Sequence, residues 1–436
     1  MERKKVSPWS WIPSLYFAEG LPYAIVMSLS LILYKKLGLS NTEITFYTGW
    51  LSLPWVIKPL WSPFVDIIKT KRIWILSMQL FLGAAFAGIA FFIPTTFFLQ
   101  ATLAVFFLIA FSSATHDIAA DGFYMLALDE HEQSFFVGIR TTFYRLSTIF
   151  GQGFLVYLAG RLGNSDWVRG IAPENATPYV WSLIFYFLAA LFIGLFIYHR
   201  YILPKPDSDE NRGKSKNTAQ ILNEFLATFL TFFQKQGIVV IILFLLFYRF
   251  SEAQLLKIVP LFLLDERSVG GLGLSTEEVG IANGIYGIVA LTLGGILGGI
   301  CISKKGLKYW LWWMVLSLNL PSLAYVYLSL VQPESLMLVN CAIFIEQFGY
   351  GFGSTAYVMY VVYVSKGIYK TAHYAICTAF MALGMMIPGM FAGAVQKLMG
   401  YPNFFLWIMV ATIPCFVVSA FVKIDPMFGK KNKLKI

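Results

Sequence analysis

Asp117 and Asp121 stand four residues apart in a long apolar stretch, and His116 sits beside the first of them. On a helix that spacing puts both carboxylates on one face, with His116 turned about 100° away. Two like charges so close favour a single proton on the pair. With a cation competing for the same oxygens, such a pair can bind and release a proton as its access to water alternates. Other ionisable residues also interrupt apolar runs: Glu19, Asp66, Glu252 and Glu346, against Lys58, Arg140, Arg145, Arg249 and Lys257. Each costs about 2.5–3.5 kcal/mol at the centre of a bilayer, so it persists by facing a cavity, pairing, or moving ions.

Spacing assigns expected roles. Arg145 has no acid within reach on its own helix, so a partner beside Asp117 and Asp121 is expected. Arg249 and Glu252 are three apart and can pair within one helix. Glu19 precedes Gly20-Leu21-Pro22, a sequence that breaks helices. A carboxylate at such a break suits a cavity, and a buried pair with Lys58 suits it equally. Glu346 and Gln347 offer hydrogen bonds to a sugar, next to a Gly349-x-Gly351-x-Gly353 run that permits close packing. Tyr23, Trp50, Trp55, Tyr124, Tyr144, Tyr248, Tyr350 and Tyr374 can stack on sugar rings or simply pack. Asp66 sits at a helix end, where a structural lock is expected.

The elements that carry these residues are read from composition. The chain has 436 residues, 58% hydrophobic and 13% charged. Soluble domains carry about 45–50% and about 25%. A water-soluble enzyme is thereby excluded, and with 17% aromatics so is a disordered chain. The apolar runs are about 20 residues or longer, the length of a membrane-crossing helix rather than of a barrel strand. They fall at roughly 10–35, 43–65, 73–94, 97–128, 135–161, 178–200, 236–263, 277–302, 307–331, 335–364, 370–398 and 402–423. The expectation is an all-α integral membrane protein of twelve spans: a bundle over 1–202, a cytoplasmic linker over 203–235 and a bundle over 236–436.

The linker's first part, about 203–217, is charged and rich in Pro and Ser, and is expected to be exposed and flexible. Residues 218–233 place Ile221, Leu222, Phe225, Leu226, Phe229 and Phe233 on one helical face, as expected of a helix on the inner membrane surface. Lys and Arg crowd the loops on the side of both termini. Arg3, Lys4, Lys5, Lys69, Lys71, Arg72 and Arg200 lie there, as do the linker and C-terminal lysines; the other side has Lys35, Lys36, Arg161, Arg169, Arg267 and Lys397. Both termini are therefore expected in the cytoplasm. The net charge of +10 reflects this loop bias and not nucleic acid. The basic N-terminus leads into a long apolar run without a cleavage site, as expected of an uncleaved first span. Cys301, Cys341, Cys377 and Cys415 lack metal or disulfide spacing and are expected to be buried thiols.

The halves carry matching text. Phe17-Ala18-Glu19-Gly20 resembles Phe250-Ser251-Glu252-Ala253. Leu37-Gly38-Leu39-Ser40-Asn41-Thr42-Glu43-Ile44 resembles Leu272-Gly273-Leu274-Ser275-Thr276-Glu277-Glu278-Val279. The offsets, 233 and 235, are nearly equal. A parallel duplication of six spans is the plan of the major facilitator fold, in which two bundles rock around a site near the midplane. The loop after span 2 adds a partial signature of that superfamily, Trp61 to Asp66 followed by Lys69, Lys71 and Arg72.

At these residues the sequence resembles the AmpG-type muropeptide permease family of the major facilitator superfamily. The similarity rests on Phe17 to Pro22, on Leu53-Pro54-Trp55-Val56-Ile57-Lys58-Pro59-Leu60-Trp61-Ser62-Pro63-Phe64-Val65-Asp66, on Ser113 to Asp121, on Tyr144-Arg145-Leu146 and on Thr371 to Ala375. It implies proton-driven import of peptidoglycan turnover fragments, N-acetylglucosamine–anhydro-N-acetylmuramic acid with or without peptide, across the bacterial inner membrane. It also implies importance for Lys58, Asp117, Asp121 and Arg145. Glu19 and His116 depart from the family pattern, which leaves another oligosaccharide or an acetyl-coenzyme A type of solute open.

The expected division of labour gives proton coupling to Asp117, Asp121 and Glu19. Substrate contact falls to Arg145, Lys58, Glu252, Arg249, Glu346, Gln347, Tyr144 and Tyr374, and gating or shape to Asp66, Arg72, Pro22 and Pro54. A cofactor, a metal and a nucleic-acid partner are not expected, and a monomer is. A membrane enzyme finds no support in the spacing of the four histidines, and a sensor built on a carrier fold would bind without flux.

Overall fold

The computed structural model describes residues 6–173, 176–206, 209, 218–366 and 370–430, and among them the chain is helical with no strand. Hydrocarbon offers no partner for backbone N–H and C=O groups, so long apolar runs close their hydrogen bonds internally as helices. Nine stretches among the described residues are long and apolar enough to cross a membrane. They include Pro8–Lys36, Lys71–Phe92, Phe98–Ala127, Ala176–Ile202 and Ile238–Leu264. The last, Ala372–Phe421, has 50 residues. At about 1.5 Å per residue that is more than twice a bilayer, and it is kinked at Gly400, whose φ is 72°. The expected second span is two helices, Asn41–Trp50 and Leu53–Ile67. The expected fifth runs through Glu130–Ile149, a wide turn at Phe150–Phe154, and Leu155–Gly163. Outward faces remain apolar, as at Phe81, Phe91 and Leu108, which suits contact with lipid tails.

The chain forms two compact units, Met1–Gly38 with Ile57–Leu226, and Leu39–Val56 with Ala227–Ile436. Residues 39–56, which the sequence places among the first six spans, thus pack with the second unit. In the first unit Phe86 meets Phe185 and Phe192 at a tilt, with ring centroids 6.1 and 5.3 Å apart. In the second, Tyr248 stacks on Tyr357 at 5.1 Å, and its hydroxyl donates to the Gly353 carbonyl at 2.9 Å. Tyr248 is therefore core rather than an open stacking platform.

The duplicated text has a physical meaning. Ser40 and Ser275 each accept from the backbone N–H three residues on, and Glu43 and Glu278 each accept from the capping serine's own N–H. These are reciprocal N-terminal caps. Gly38 (φ 90°) and Gly273 (φ 66°) supply the left-handed turn before each cap.

Four expectations are corrected. Gly20-Leu21-Pro22 does not break its helix: Ile12–Ala24 is continuous, and the wide turn follows at Ile25–Leu29. Gly20 is needed instead for close approach, since a Cβ there would stand 2.2 Å from Ser147 Oγ. The start of the linker is not wholly exposed, because Asp209 is buried and accepts from the N–H groups of Lys71 (2.8 Å) and Arg72 (3.2 Å). It caps the helix they begin. The Thr218–Phe233 helix is present, and its end docks on its own unit: Phe232 is fully buried against His373 and Phe380. Cys377 and Cys415 are buried free thiols, but Cys341 is exposed and Cys301 half-buried.

The glycine run serves two neighbours. A Cβ on Gly349 or Gly353 would meet the carbonyls of Ser317 (2.3 Å) or Met314 (2.5 Å), and one on Gly351 would meet that of Leu291 at 2.1 Å. Helix Leu336–Val364 therefore touches one partner with Gly349 and Gly353 and another with Gly351. We expect Gly351→Ala to destabilise the protein by about 1–3 kcal/mol through overpacking and Gly351→Leu to abolish the folded peak. Gly299→Ala, where nothing lies within 4 Å, is expected to be neutral or stabilising. Thermal unfolding followed by size-exclusion chromatography checks all three.

Candidate functional site

Span 4, helix Phe98–Ala127, carries Asp117 and Asp121 one turn apart. The Leu53–Ile67 helix brings Lys58 to Asp117, and the two form an ion pair with each side chain about one quarter exposed. The Glu130–Ile149 helix brings Arg140 to Asp121, Nη2 to Oδ1, at 3.0 Å. Tyr16, from the first span, donates its hydroxyl to the same Oδ1 at 3.2 Å. Arg140 also lies over the rings of Tyr16 (4.6 Å) and Tyr124 (5.0 Å), so the cation is held by charge and by two aromatic faces.

Glu19 completes the cluster from one turn beyond Tyr16. Carboxyl oxygens of Glu19, Asp117 and Asp121 lie within 4.8 Å of one another. Glu19 is 6% exposed, and its Oε2 is buried without a hydrogen-bond partner. Three acids so placed can hold a small cation. Here ammonium and guanidinium groups already serve two of them. The third acid has no cation of its own in these pairs, and like charges this close favour a proton on one member.

Sequence spacing found Asp117, Asp121, Glu19 and Lys58, and the structure brings all four together. Arg140, which the spacing did not assign, pairs with Asp121, and Arg145 lies five residues further along the same helix, half-buried. Tyr144 stands against Gly20, its Cδ2 3.0 Å from where a Cβ would be. Pro22 lies inside the first helix, and Pro54 at the start of Leu53–Ile67. Arg72 donates to the carbonyls of Leu203 (3.3 Å) and Arg200, tying off the C-terminal end of span 6. The side chain of Asp66 lies outside the described residues.

Behind the cluster runs a chain of side chains that spacing did not reveal. Ser14 Oγ is 2.9 Å from His199 Nε2, His199 Nδ1 is 3.0 Å from Gln79 Oε1, and Gln79 Nε2 is 3.1 Å from His116 Nε2. Gln79, His116 and His199 are fully buried. The Gln79 amide sets the polarity: it accepts from His199 and donates to His116, whose accepting Nε2 carries no proton. The four residues sit on four helices, which is why no local pattern signals them.

The second unit holds the remaining residues. The helix is interrupted between Phe247 and Phe250, and Arg249 at the break hydrogen-bonds to the Tyr350 hydroxyl. Glu346 accepts from Tyr325 (3.1 Å) and Gln347 (2.9 Å) on Oε2. Its Oε1, like Glu252 Oε1, is buried without a partner. Tyr374 is 39% exposed.

Residues 14–373 match the family model of the Major Facilitator Superfamily. Among relatives, the chain is 24% identical over 422 residues to the "Putative transporter AmpG 4" of Rickettsia conorii, covering 94% of each. It is 26% identical over 409 residues to the "Anhydromuropeptide permease" of Escherichia coli, covering 92% of this chain and 76% of that one. Among solved structures, a mutant of the nucleoside transporter NupG superposes with a TM-score of 0.68 at 13% identity, covering 95% of this chain and 99% of that one. A D-xylose-proton symporter gives 0.66 at 16%, covering 94% and 95%. The all-helical fold, the apolar spans and these matches agree that the chain is a multi-pass membrane transporter belonging to the Major Facilitator Superfamily, and within it similar to AmpG-type permeases.

Proposed function

We propose that the protein is a proton-coupled importer of peptidoglycan-derived muropeptide, the N-acetylglucosamine–anhydro-N-acetylmuramic acid unit with or without peptide. It works as a monomer by alternating access across the bacterial inner membrane, with both termini cytoplasmic. The similarity to relatives named as AmpG transporter and anhydromuropeptide permease supports the substrate class, and the positive-inside bias supports the orientation.

One observation carries the coupling: three carboxyl groups within 4.8 Å share two paired cations. Asp117 is matched by Lys58 and Asp121 by Arg140. Glu19, within 4.8 Å of both aspartates and with a buried oxygen left over, is the group that carries the proton. Losing that proton leaves two carboxylates facing each other and frees Lys58 to be contested between them. A substrate that draws on Lys58 or Arg145 thereby changes the cluster's hold on its proton. In the other unit, the unpartnered oxygens of Glu252 and Glu346 are acceptors for sugar hydroxyls, with Gln347, Arg249 and Tyr374 as further contacts.

Magnitudes are adequate. One proton moving down 100 mV supplies about 2.3 kcal/mol, enough for roughly 40-fold accumulation when 1.4 kcal/mol is tenfold. Glu19→Gln keeps the shape of the protonated acid and cannot ionise. In proteoliposomes we expect it to retain substrate exchange and to lose concentrative uptake, and Asp121→Asn to lose concentrative uptake likewise. Accumulation by both variants at the wild-type level, insensitive to an uncoupler, would reject the assignment. Stabilisation of the purified protein by coenzyme A thioesters and not by anhydro-muropeptide would move the substrate to the other class.

The pair Lys58–Asp117 also has a stability signature. Removing one partner strands the other charge, at a cost of about 1–3 kcal/mol once the quarter exposure of each side chain is allowed for. Lys58→Met and Asp117→Leu should each lower the thermal midpoint, and the double variant should recover most of the loss. Additive losses would show that the pair contributes nothing specific.

A further inference from the structure

Lys257 takes no part in the carboxyl cluster. It lies on helix Phe250–Leu264 and is 8% exposed. Its Nζ donates to Thr48 Oγ1 at 3.1 Å. Among the described residues no carboxylate stands within salt-bridge distance of it. The aliphatic stem runs beside Gly389, where a Cβ would be 3.3 Å from Lys257 Cγ.

The cover over this amine is the Asn41–Trp50 helix. Thr45 Oγ1 donates to the Met390 carbonyl (3.2 Å) and accepts from the Gly393 N–H (3.1 Å). Asn41 Nδ2 approaches Asp265 (3.0 Å), Gln396 (3.1 Å) and Tyr401 (2.9 Å). Asp265 is engaged with Asn41 and with the Tyr401 hydroxyl at 2.5 Å. The acid on this face is thus already committed.

A buried ammonium without a counter-charge costs several kcal/mol, and an apolar side chain of the same length would fill the space more stably. A lysine at this position is accounted for if an anion meets it in another stage of the cycle. The contact over the ammonium itself is one threonine hydroxyl, and lifting the helix also releases the Thr45 and Asn41 contacts. We infer that Lys257 is an anion-receiving group: when the Asn41–Trp50 helix lifts Thr48 away, the ammonium pairs with a carboxylate on the transported molecule. This rests on the transport reading above and adds a requirement to it, that the cargo is an acid and that its neutral counterpart is discriminated against. An anhydro-muramyl sugar meets the requirement through its lactyl or peptide carboxylate.

The test compares wild type, Lys257→Met and Lys257→Arg in proteoliposomes, offering the anhydro-disaccharide with its carboxylate free and with it amidated. In Lys257→Met the KM for the acid is expected to rise at least about tenfold while that for the amide is unchanged, and Lys257→Arg is expected to restore most of the preference. Unliganded Lys257→Met is expected to melt above wild type, which also reports that it folds. Equal effects on acid and amide, or no effect on either, overturn the inference. If wild type carries neither form, the muropeptide reading fails by itself. Thermal shifts with N-acetylmuramic acid and glucuronic acid against their amides then decide: an acid preference lost in Lys257→Met upholds the role of Lys257, and its absence from wild type overturns it.

Discussion

An ionised group in hydrocarbon persists only beside something that neutralises it, and the first unit is arranged around that constraint. Three helices and the first span deliver polar side chains to a small volume: Asp117 and Asp121, Lys58, Arg140, and Glu19 with Tyr16. None of these would be tolerated alone at bilayer depth. Together they are nearly balanced, three carboxyl groups against two paired cations. A small imbalance in a low-dielectric setting makes proton occupancy sensitive to whatever approaches Lys58 or Arg140.

The surroundings hold that volume fixed. Gly20 lets the first span approach Ser147 and Tyr144, so Glu19 sits close to the fifth span. The Ser14–His199–Gln79–His116 chain ties four helices together directly behind Asp117. At one end of the unit, Arg72 and Asp209 satisfy terminal backbone groups of two helices. The second unit is built on close glycine contacts and a tyrosine stack. Its charged groups are dispersed: Arg249 at a helix interruption, Glu346 held by Tyr325 and Gln347, Lys257 beneath Thr48.

Much of this was legible in the sequence, because the relevant signals are local. Length and hydropathy mark the helices. The four-residue spacing of Asp117 and Asp121 fixes their common face, and the repeated Leu-Gly-Leu-Ser text reads out as twin caps at Ser40 and Ser275. What stayed hidden depends on contacts between distant segments. Arg140 and Arg145 are equally basic in the sequence, and only the crossing of their helix with span 4 selects Arg140 for Asp121. Gln79 and His199 are ordinary residues until they meet, 120 positions apart. Pro22 misleads because a proline in a long buried helix can be absorbed by a wide turn just after it, here at Ile25–Leu29, instead of ending the helix.

The central claim is that one proton resides on Glu19 within the three-carboxyl cluster. Infrared difference spectroscopy of the purified protein in lipid tests it most directly, by following the carbonyl stretch of protonated carboxyl groups. At neutral pH a protonated-carboxyl band should be present in wild type, disappear in Glu19→Gln, and shift when substrate is added. A spectrum that Glu19→Gln leaves unchanged would contradict the account.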